Sequence, residues 1–421
     1  MTPSPSSTGN SRITALAADR AIHRAFHWLH LYEQQLQRWH REFLAIPAPP
    51  FGEAARADWF AARFTDLGLH NPEIDPEGNA LAELPSAHNT SDVILLSAHL
   101  DTIFPVGIDC TPREAEDGKL LCPGATDNGA GLTALLAIAA ALRYAELTPA
   151  TTILFAANVG EEGEGDLRGM RHLFSRSPYA QRIRAAIALE GCGAATVVDR
   201  ALGSRRLRVE ITGPGGHSWA DAGRPSPINA LAAAITTLTQ HTLPSNPRTT
   251  LNCGTIAGGT SINSIPSSVT ADLDLRSTST DELDSLESLV LSTLSKCVKA
   301  EARRGRARDA LQIQVRRIGD RTAGVLPSDS ALAISLRAVD RHLSLKTESR
   351  IGSTDANLPL SLGIPALAIG AGGTGGGIHT LEEWYDPKNR ELALRRILLL
   401  LLDTCNLAHE RTATTAQSLS S

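Results

Sequence analysis

Six cysteines are scattered through the 421 residues, and no two stand as C-x-x-C. In so long a chain, that excludes a disulfide framework and points to a reducing compartment. No apolar run reaches the roughly 18 residues that a membrane span needs. The most apolar stretches, "LTALLAIAAAL" (132–142) and "ILLLLLDTC" (397–405), both fall short. The N-terminal "MTPSPSSTGNSRITALAADR" is polar and lacks the apolar core of a secretory signal, so a soluble, cytoplasmic protein is expected. Charge of one sign is missing too. The formal net charge is −5, and nothing marks a nucleic-acid partner. One basic run, Arg303, Arg304, Arg306 and Arg308, has no interleaved aromatics and reads as a solvated helix end. The glycine run 370–377 lacks the Lys-Ser/Thr of a phosphate loop.

What is present is enough apolar material, 42% of residues, for large cores in about two domains. Residues 1–12 read as a disordered tail, followed by a helical pattern from about Ile13 to Phe43 that ends at the prolines of "IPAPPFGE". Continuous apolar runs "DVILLSAH", "TTILFAANV" and "IRAAIALEG" alternate with helical stretches. That is the pattern of an α/β sheet covered on both faces. At about Ser204 the pattern changes to alternating strands in the order β-α-β-β-α-β, a ferredoxin-like α+β sandwich. The buried pattern returns after Arg321. A catalytic domain of 1–203 and 321–421 is therefore expected, interrupted by an inserted domain of 204–320.

Five segments place His, Asp or Glu directly after an apolar strand or glycine turn. They are "ILLSAHLD" (His99, Asp101), "PGATDNGAG" (Asp127), "LFAANVGEEGEG" (Glu161, Glu162), "AAIALEGCG" (Glu190) and "GAGGTGGGIHT" (His379). Any one of them alone would read as a cap or a structural residue. In open α/β sheets the carboxyl ends of strands line the ligand crevice, so the five can converge. Carboxylates so gathered need a cation, and mixed N/O donors fit zinc, cobalt or manganese.

These motifs, with "GPGGHS", "NSIPSSVTADLDLRS" and "GIHTLEEWYD", resemble the M20 family of di-zinc peptidases and amidohydrolases across almost the whole chain beyond its tail. The resemblance implies a zinc-peptidase-type α/β catalytic domain with an inserted ferredoxin-like lid. It also implies two divalent metal ions, most readily zinc, bridged by Asp127. His99 and Glu190 would complete one site, and Glu162 and His379 the other. Asp101 would accept the N–H of His99 and fix its tautomer. Glu161 would be the general base, taking a proton from the attacking water and passing it to the leaving amine. The bond Asp127–Asn128 would be cis.

In the lid, His217 would polarise the scissile carbonyl. In dimeric relatives this histidine serves the neighbouring subunit's site, so a homodimer through the lid is expected. Asn263 and Arg276 would hold the substrate's backbone and carboxylate, and Gly372 and Gly373 would let substrate approach closely. Expected substrates are small peptides or N-acyl amino acids. The specificity cues conflict: Glu190 leans toward carboxypeptidases and acylases, while "STDANLPLSLGIPALAIG" leans toward tripeptidases. N-carbamoyl substrates, and a metal-binding protein without catalysis, remain as alternatives. Cys192 reads as a packed thiol, and His23, His27 and His30 as one partly buried helix face.

Overall fold

The computed structural model describes residues 5–88, 90–304 and 311–420. The chain divides into two compact units, 1–200 with 325–421, and 201–324. No helix among the described residues is long and apolar enough to cross a membrane. All six cysteines are thiols outside any disulfide.

The first unit is built on one mixed sheet. Three strands, Val93–His99, Thr152–Asn158 and Ile183–Leu189, run parallel with Val93–His99 in the middle. Ala366–Ile369 joins in parallel beside Ile183–Leu189. Antiparallel strands extend the sheet on both sides, Ala80–Leu84 on Thr152–Asn158 and Thr196–Ala201 on Ala366–Ile369. Every residue of Val93–His99 and Thr152–Asn158 is buried, which is why these runs are apolar without alternation. Because the three central strands run the same way, the segments that follow them gather at one edge of the sheet.

The helix Gly129–Tyr144 is buried along nearly its whole length, since it is apolar on all sides. The C-terminal helix Arg390–Ser420 buries Leu394 and the run Ile397–Leu402. One charge lies among these groups. The guanidinium of Arg396, wholly buried, bonds both oxygens of Asp340 at 2.6 and 2.7 Å and donates to the carbonyls of Ala194 and Thr196.

The N-terminus departs from expectation. Of the segment read as a disordered tail, residues from Pro5 are helical, in a helix that runs to Ala17. Ile13 is fully buried, and Arg12 pairs with Asp403 at 2.6 Å, 391 positions away. Residues 1–4 lie outside the described residues. The long helical pattern is three helices, Pro5–Ala17, Arg20–Leu31 and Glu33–Leu44, with Asp19 capping the second.

The second unit is a four-stranded antiparallel sheet in the order Thr249–Gly258, Ser268–Ser277, Gly203–Thr212, Gln312–Arg321. Its core joins Leu207, Val209 and Ile211 of the sheet to Leu231 and Leu238 of helix Pro227–Thr239 and Leu283, Leu286 and Leu294 of helix Thr280–Arg304. These are the alternate positions of the strands, so the other sheet face carries Arg206, Arg208, Asp272 and Asp274. Arg303 and Arg304 end the long helix as the basic run suggests; Arg306 and Arg308 lie outside the described residues.

A buried Arg–Asp pair is costly to break because one charge is left without its partner. Replacing Arg396 by Leu is expected to destabilise the first unit by about 3–5 kcal/mol. A lowered urea midpoint checks this, and adding Asp340→Asn to the variant should recover part of the loss. An unchanged midpoint in Arg396→Leu would refute it.

Candidate metal centre

The parallel strands bring the acidic segments together. His99 is the last residue of Val93–His99, wholly buried, and Glu190 follows Ile183–Leu189 directly. His99 Nε2 lies 3.1 Å from Asp127 Oδ1 and 3.4 Å from Glu190 Oε1. On the other side, His379 Nε2 lies 3.1 Å from Asp127 Oδ2 and 3.1 Å from Glu162 Oε1. Asp127 thus turns one oxygen toward each imidazole. The ligand atoms of His99, Asp127 and Glu190 lie within 4.8 Å of one another, as do those of Asp127, Glu162 and His379. His99, Glu161 and Glu162 form a third such group.

Each side chain is held by backbone. Asp127 stands in the loop before helix Gly129–Tyr144, and its bond to Asn128 is cis. The Asn128 side chain donates to Leu189 O at 2.9 Å and accepts from the N–H of Gly191 at 3.1 Å, tying this loop to the segment bearing Glu190. Glu161 and Glu162 sit in a loop folded tightly on itself. A Cβ on Gly165 would meet the Cα of Gly160 at 2.5 Å, so the two glycines let it close. Glu164 points to solvent, while Glu161 and Glu162 are buried. His379 takes a left-handed φ of 66° beside the hairpin of Thr374–Gly376 and Trp384–Asp386.

Asp101 differs in detail from its expected part. His99 Nδ1 lies 3.0 Å from the Asp101 backbone carbonyl, and the carboxylate is farther, at 3.6 Å. The carboxylate instead accepts the N–H of Glu161 at 2.9 Å and of Glu162 at 2.7 Å. Two amide donors are the better partners for an ionised carboxylate, so it turns toward them. Asp101 therefore anchors the loop that bears Glu161 and Glu162 and orients His99 through its main chain.

One residue escaped the sequence. Glu383, almost wholly buried, accepts the N–H groups of Gly124, Thr126 and Asp127 at 2.8 Å each. It fixes the loop of Asp127 from more than 250 positions away. The only signal was a second acid in "HTLEEWYD", and nothing local distinguishes it from a surface glutamate. Gly372 and Gly373 also differ from expectation. Cβ atoms there would strike the chain's own backbone, Arg390 Cα at 2.7 Å and Asp386 O at 2.5 Å. Their small size serves packing within the chain.

The electrostatics call for positive charge. Burial opposes a charge on His99, yet Glu190, Asp101 and Asp127 outweigh it and raise its pKa well above the usual range. Hydrogen bonds to Asp127 and Glu162 raise His379 to about 10. Burial raises Glu190 to about 7, with His99 opposing, and raises Glu383 to about 7. Asp127 is lowered, because the two imidazoles overcome its burial. Asp127 Oδ1 and Glu190 Oε2 are buried oxygens without a hydrogen-bond donor. Two buried lone-pair donors beside imidazole nitrogens fit divalent cations with N/O preference.

In the second unit, His217 is exposed in a short strand pairing with Ser264–Ile265. Its Nδ1 accepts the N–H of Trp219 at 3.2 Å and of Ala220 at 3.3 Å. The main chain of Asn263 accepts from Ser218 N–H at 2.9 Å, so His217 and Asn263 are neighbours. Arg276 is not near them. It lies near the far end of strand Ser268–Ser277, opposite Ser204, and bonds Asp274 at 2.7 Å. At 3.4 Å per residue, the run from Ser268 to Arg276 separates the two ends by roughly 27 Å.

Residues 79–206 match the family model described as Peptidase family M28, and residues 201–300 match the Peptidase dimerisation domain of the M20 type. The two matches meet where the second unit begins. A probable carboxypeptidase of Aspergillus clavatus is 29% identical over 265 residues, 57% of either chain, so the match spans little more than half of that relative's length. A tripeptidase from Staphylococcus aureus superposes with a TM-score of 0.73 at 22% identity, covering 89% of this chain and 99% of that one. The YXEP protein of Bacillus subtilis, a dinuclear metal-binding peptidase of the M20 family, superposes at 0.66 with 14% identity, covering 89% and 99%.

Two predictions concern the loop of Asp127. Glu383→Ala is expected to weaken divalent-metal binding about 10- to 100-fold, as loss of an orienting partner does; competition with a chelating dye measures it, and unchanged affinity would refute the role. His40 is buried behind the same loop, its Nε2 2.9 Å from Ala125 O. Burial first, then the charge of Arg390, lowers its pKa from 6.5 to about 3. The unfolded chain thus binds a proton there that the folded chain refuses, so this contribution to stability is full above 6.5 and is lost as pH falls toward 3. His40→Gln keeps a donor for Ala125 O and should flatten the loss of stability between about pH 7 and about pH 5. Equal slopes for both proteins in denaturant titrations would contradict this.

In its matched regions, its fold and its gathered His and carboxylate groups, the chain is similar to peptidases of the M28 and M20 families.

Proposed function

We propose that the protein is a di-metal hydrolase of peptide or N-acyl amide bonds in small, peptide-like substrates. The observation that carries this reading is Asp127 offering one oxygen toward His99 and Glu190 and the other toward His379 and Glu162. His99, Asp127 and Glu190 would hold one ion, and Asp127, Glu162 and His379 the other, with zinc favoured by the donor set. When bound, the ions supply Lewis acidity, polarising the scissile carbonyl and making water nucleophilic at neutral pH.

Glu161 is the general base. It is buried next to the ligand Glu162, and both backbone amides are anchored on Asp101. Neighbouring residues of extended chain point opposite ways, so one can bind while the other moves a proton. Glu161 takes the proton of the attacking water and returns it to the leaving amine, splitting the amide into an acid and an amine. His217 donates to the carbonyl oxygen. Because its Nδ1 accepts two backbone N–H groups, its proton sits on Nε2, ready to be given as a hydrogen bond.

Asn263 and Arg276 bind the substrate's backbone and carboxylate. A separation of roughly 27 Å along one strand is too great for a small substrate to touch both His217 and Arg276 of one chain. We therefore assign these contacts to a homodimer, in which one copy supplies Arg276 and the other His217 and Asn263. The match to a dimerisation domain supports this. The dipeptide, tripeptide, N-acyl and N-carbamoyl alternatives separate on a substrate panel.

Glu161→Gln tests the mechanism. The variant is expected to retain two ions per chain by metal analysis while turnover falls by several orders of magnitude. Full activity in the variant, or fewer than two ions under saturating metal, would defeat the proposal.

A further inference from the structure

Beside the metal centre, a cavity of ≈ 230 Å³ opens between the ends of the strands bearing Glu190 and Ile369. Its wall includes Asp127 and Glu190, so whatever fills it sits against the reacting bond. The volume is below the roughly 300 Å³ at which pockets take whole ligands, so it suits one side chain or acyl group. Val198, Ile369 and Ile378 make the wall apolar, and Arg350 is the one cation among the lining residues. Arg350 comes from strand Glu348–Gly352, which pairs with the strand bearing Val198.

Arg350 is weakly engaged. Its guanidinium lies 3.3 Å from Glu348 on its own strand, and both side chains are about 60% exposed (61% and 60%). An ion pair of that kind contributes little and yields readily to a better partner. Arg350 lines the cavity together with Glu190 and Cys192. Apolar walls for methylene groups and a planar cation beside them are the recognition chemistry of a short chain ending in a carboxylate.

We infer that this cavity selects substrates carrying a carboxylate on a short side chain or acyl group beside the scissile amide, and that Arg350 is the specificity residue that binds it. This rests on the hydrolase reading above. The group is distinct from the main-chain carboxylate assigned to Arg276, because Arg350 and the metal ligands belong to the same compact unit and Arg276 to the other.

The metal-loaded full chain is tested with paired substrates differing only as carboxylate against carboxamide. These are dipeptides with Glu or Gln on either side of the bond, and N-glutaryl against N-glutaramyl amino acids. The wild type should favour the acid in at least one pair. Arg350→Gln should lower the acid-to-amide ratio of kcat/KM about tenfold, as loss of a charge-assisted bidentate contact does. Arg350→Glu should reverse the preference, favouring Lys over Glu in that position. Because the readout is a ratio, general damage to the enzyme cancels. Calorimetry with glutarate gives a second readout that needs no turnover, and binding should weaken about as much in Arg350→Gln. No acid preference in the wild type, or a preference that survives Arg350→Gln, would overturn the inference. Failure to hydrolyse any pair defeats the hydrolase reading, and glutarate binding that depends on Arg350 would then still support the cavity's chemistry.

Discussion

Like charges are forced together at one edge of the first sheet, and the local architecture follows from making that tolerable. Asp127, Glu162 and Glu190 converge within reach of two imidazoles, largely out of water. Repulsion between carboxylates in such a place is relieved only by positive charge or by hydrogen-bond donors. In the proposed di-metal reading, Asp127, Glu162 and Glu190 would turn oxygens toward the cations. The two acids behind them, Asp101 and Glu383, accept backbone amides, two and three respectively. Main-chain donors do not titrate or swing away, so these supports hold the neighbouring acids in place.

That division explains what could be read from the sequence. His99, Asp127, Glu162, Glu190 and His379 each follow an apolar strand or a glycine turn, and local signals of that kind survive without coordinates. The parallel strands then do the gathering, and an apolar run without alternation announces such strands. The supporting layer left no comparable trace. Glu383 acts on amides in Gly124–Asp127, and a backbone N–H has no sequence signature. Asp101 was found, but its carboxylate was assigned to the imidazole instead of to the amides of Glu161 and Glu162.

The N-terminus and the inserted unit show the same limit in other forms. "SPSSTGN" is polar and small and reads as a tail, yet the helix from Pro5 is tied down by Arg12 on Asp403, a contact between opposite ends of the chain. The alternation of the inserted strands was plain, and the β-α-β-β-α-β order correctly gave the sandwich. What the order of motifs could not convey is that His217 and Asn263 lie at one end of the sheet and Arg276 at the other. Three residues that look like one substrate site in sequence are divided by the length of a strand.

The way the second unit joins the first has a consequence for how the molecule can be taken apart. Ser204 pairs with Arg321, so the chain enters and leaves the insertion on adjacent strands. In the host, Leu326 N–H bonds Asp199 O at 2.9 Å, so the flanks of the insertion also meet there. To the host, more than a hundred inserted residues amount to a closed turn, with a loop-closure cost that grows only logarithmically with length. The insertion is thus a cassette: it can be exchanged or lengthened at its own surface while the sheet edge that gathers the acids keeps its ends fixed.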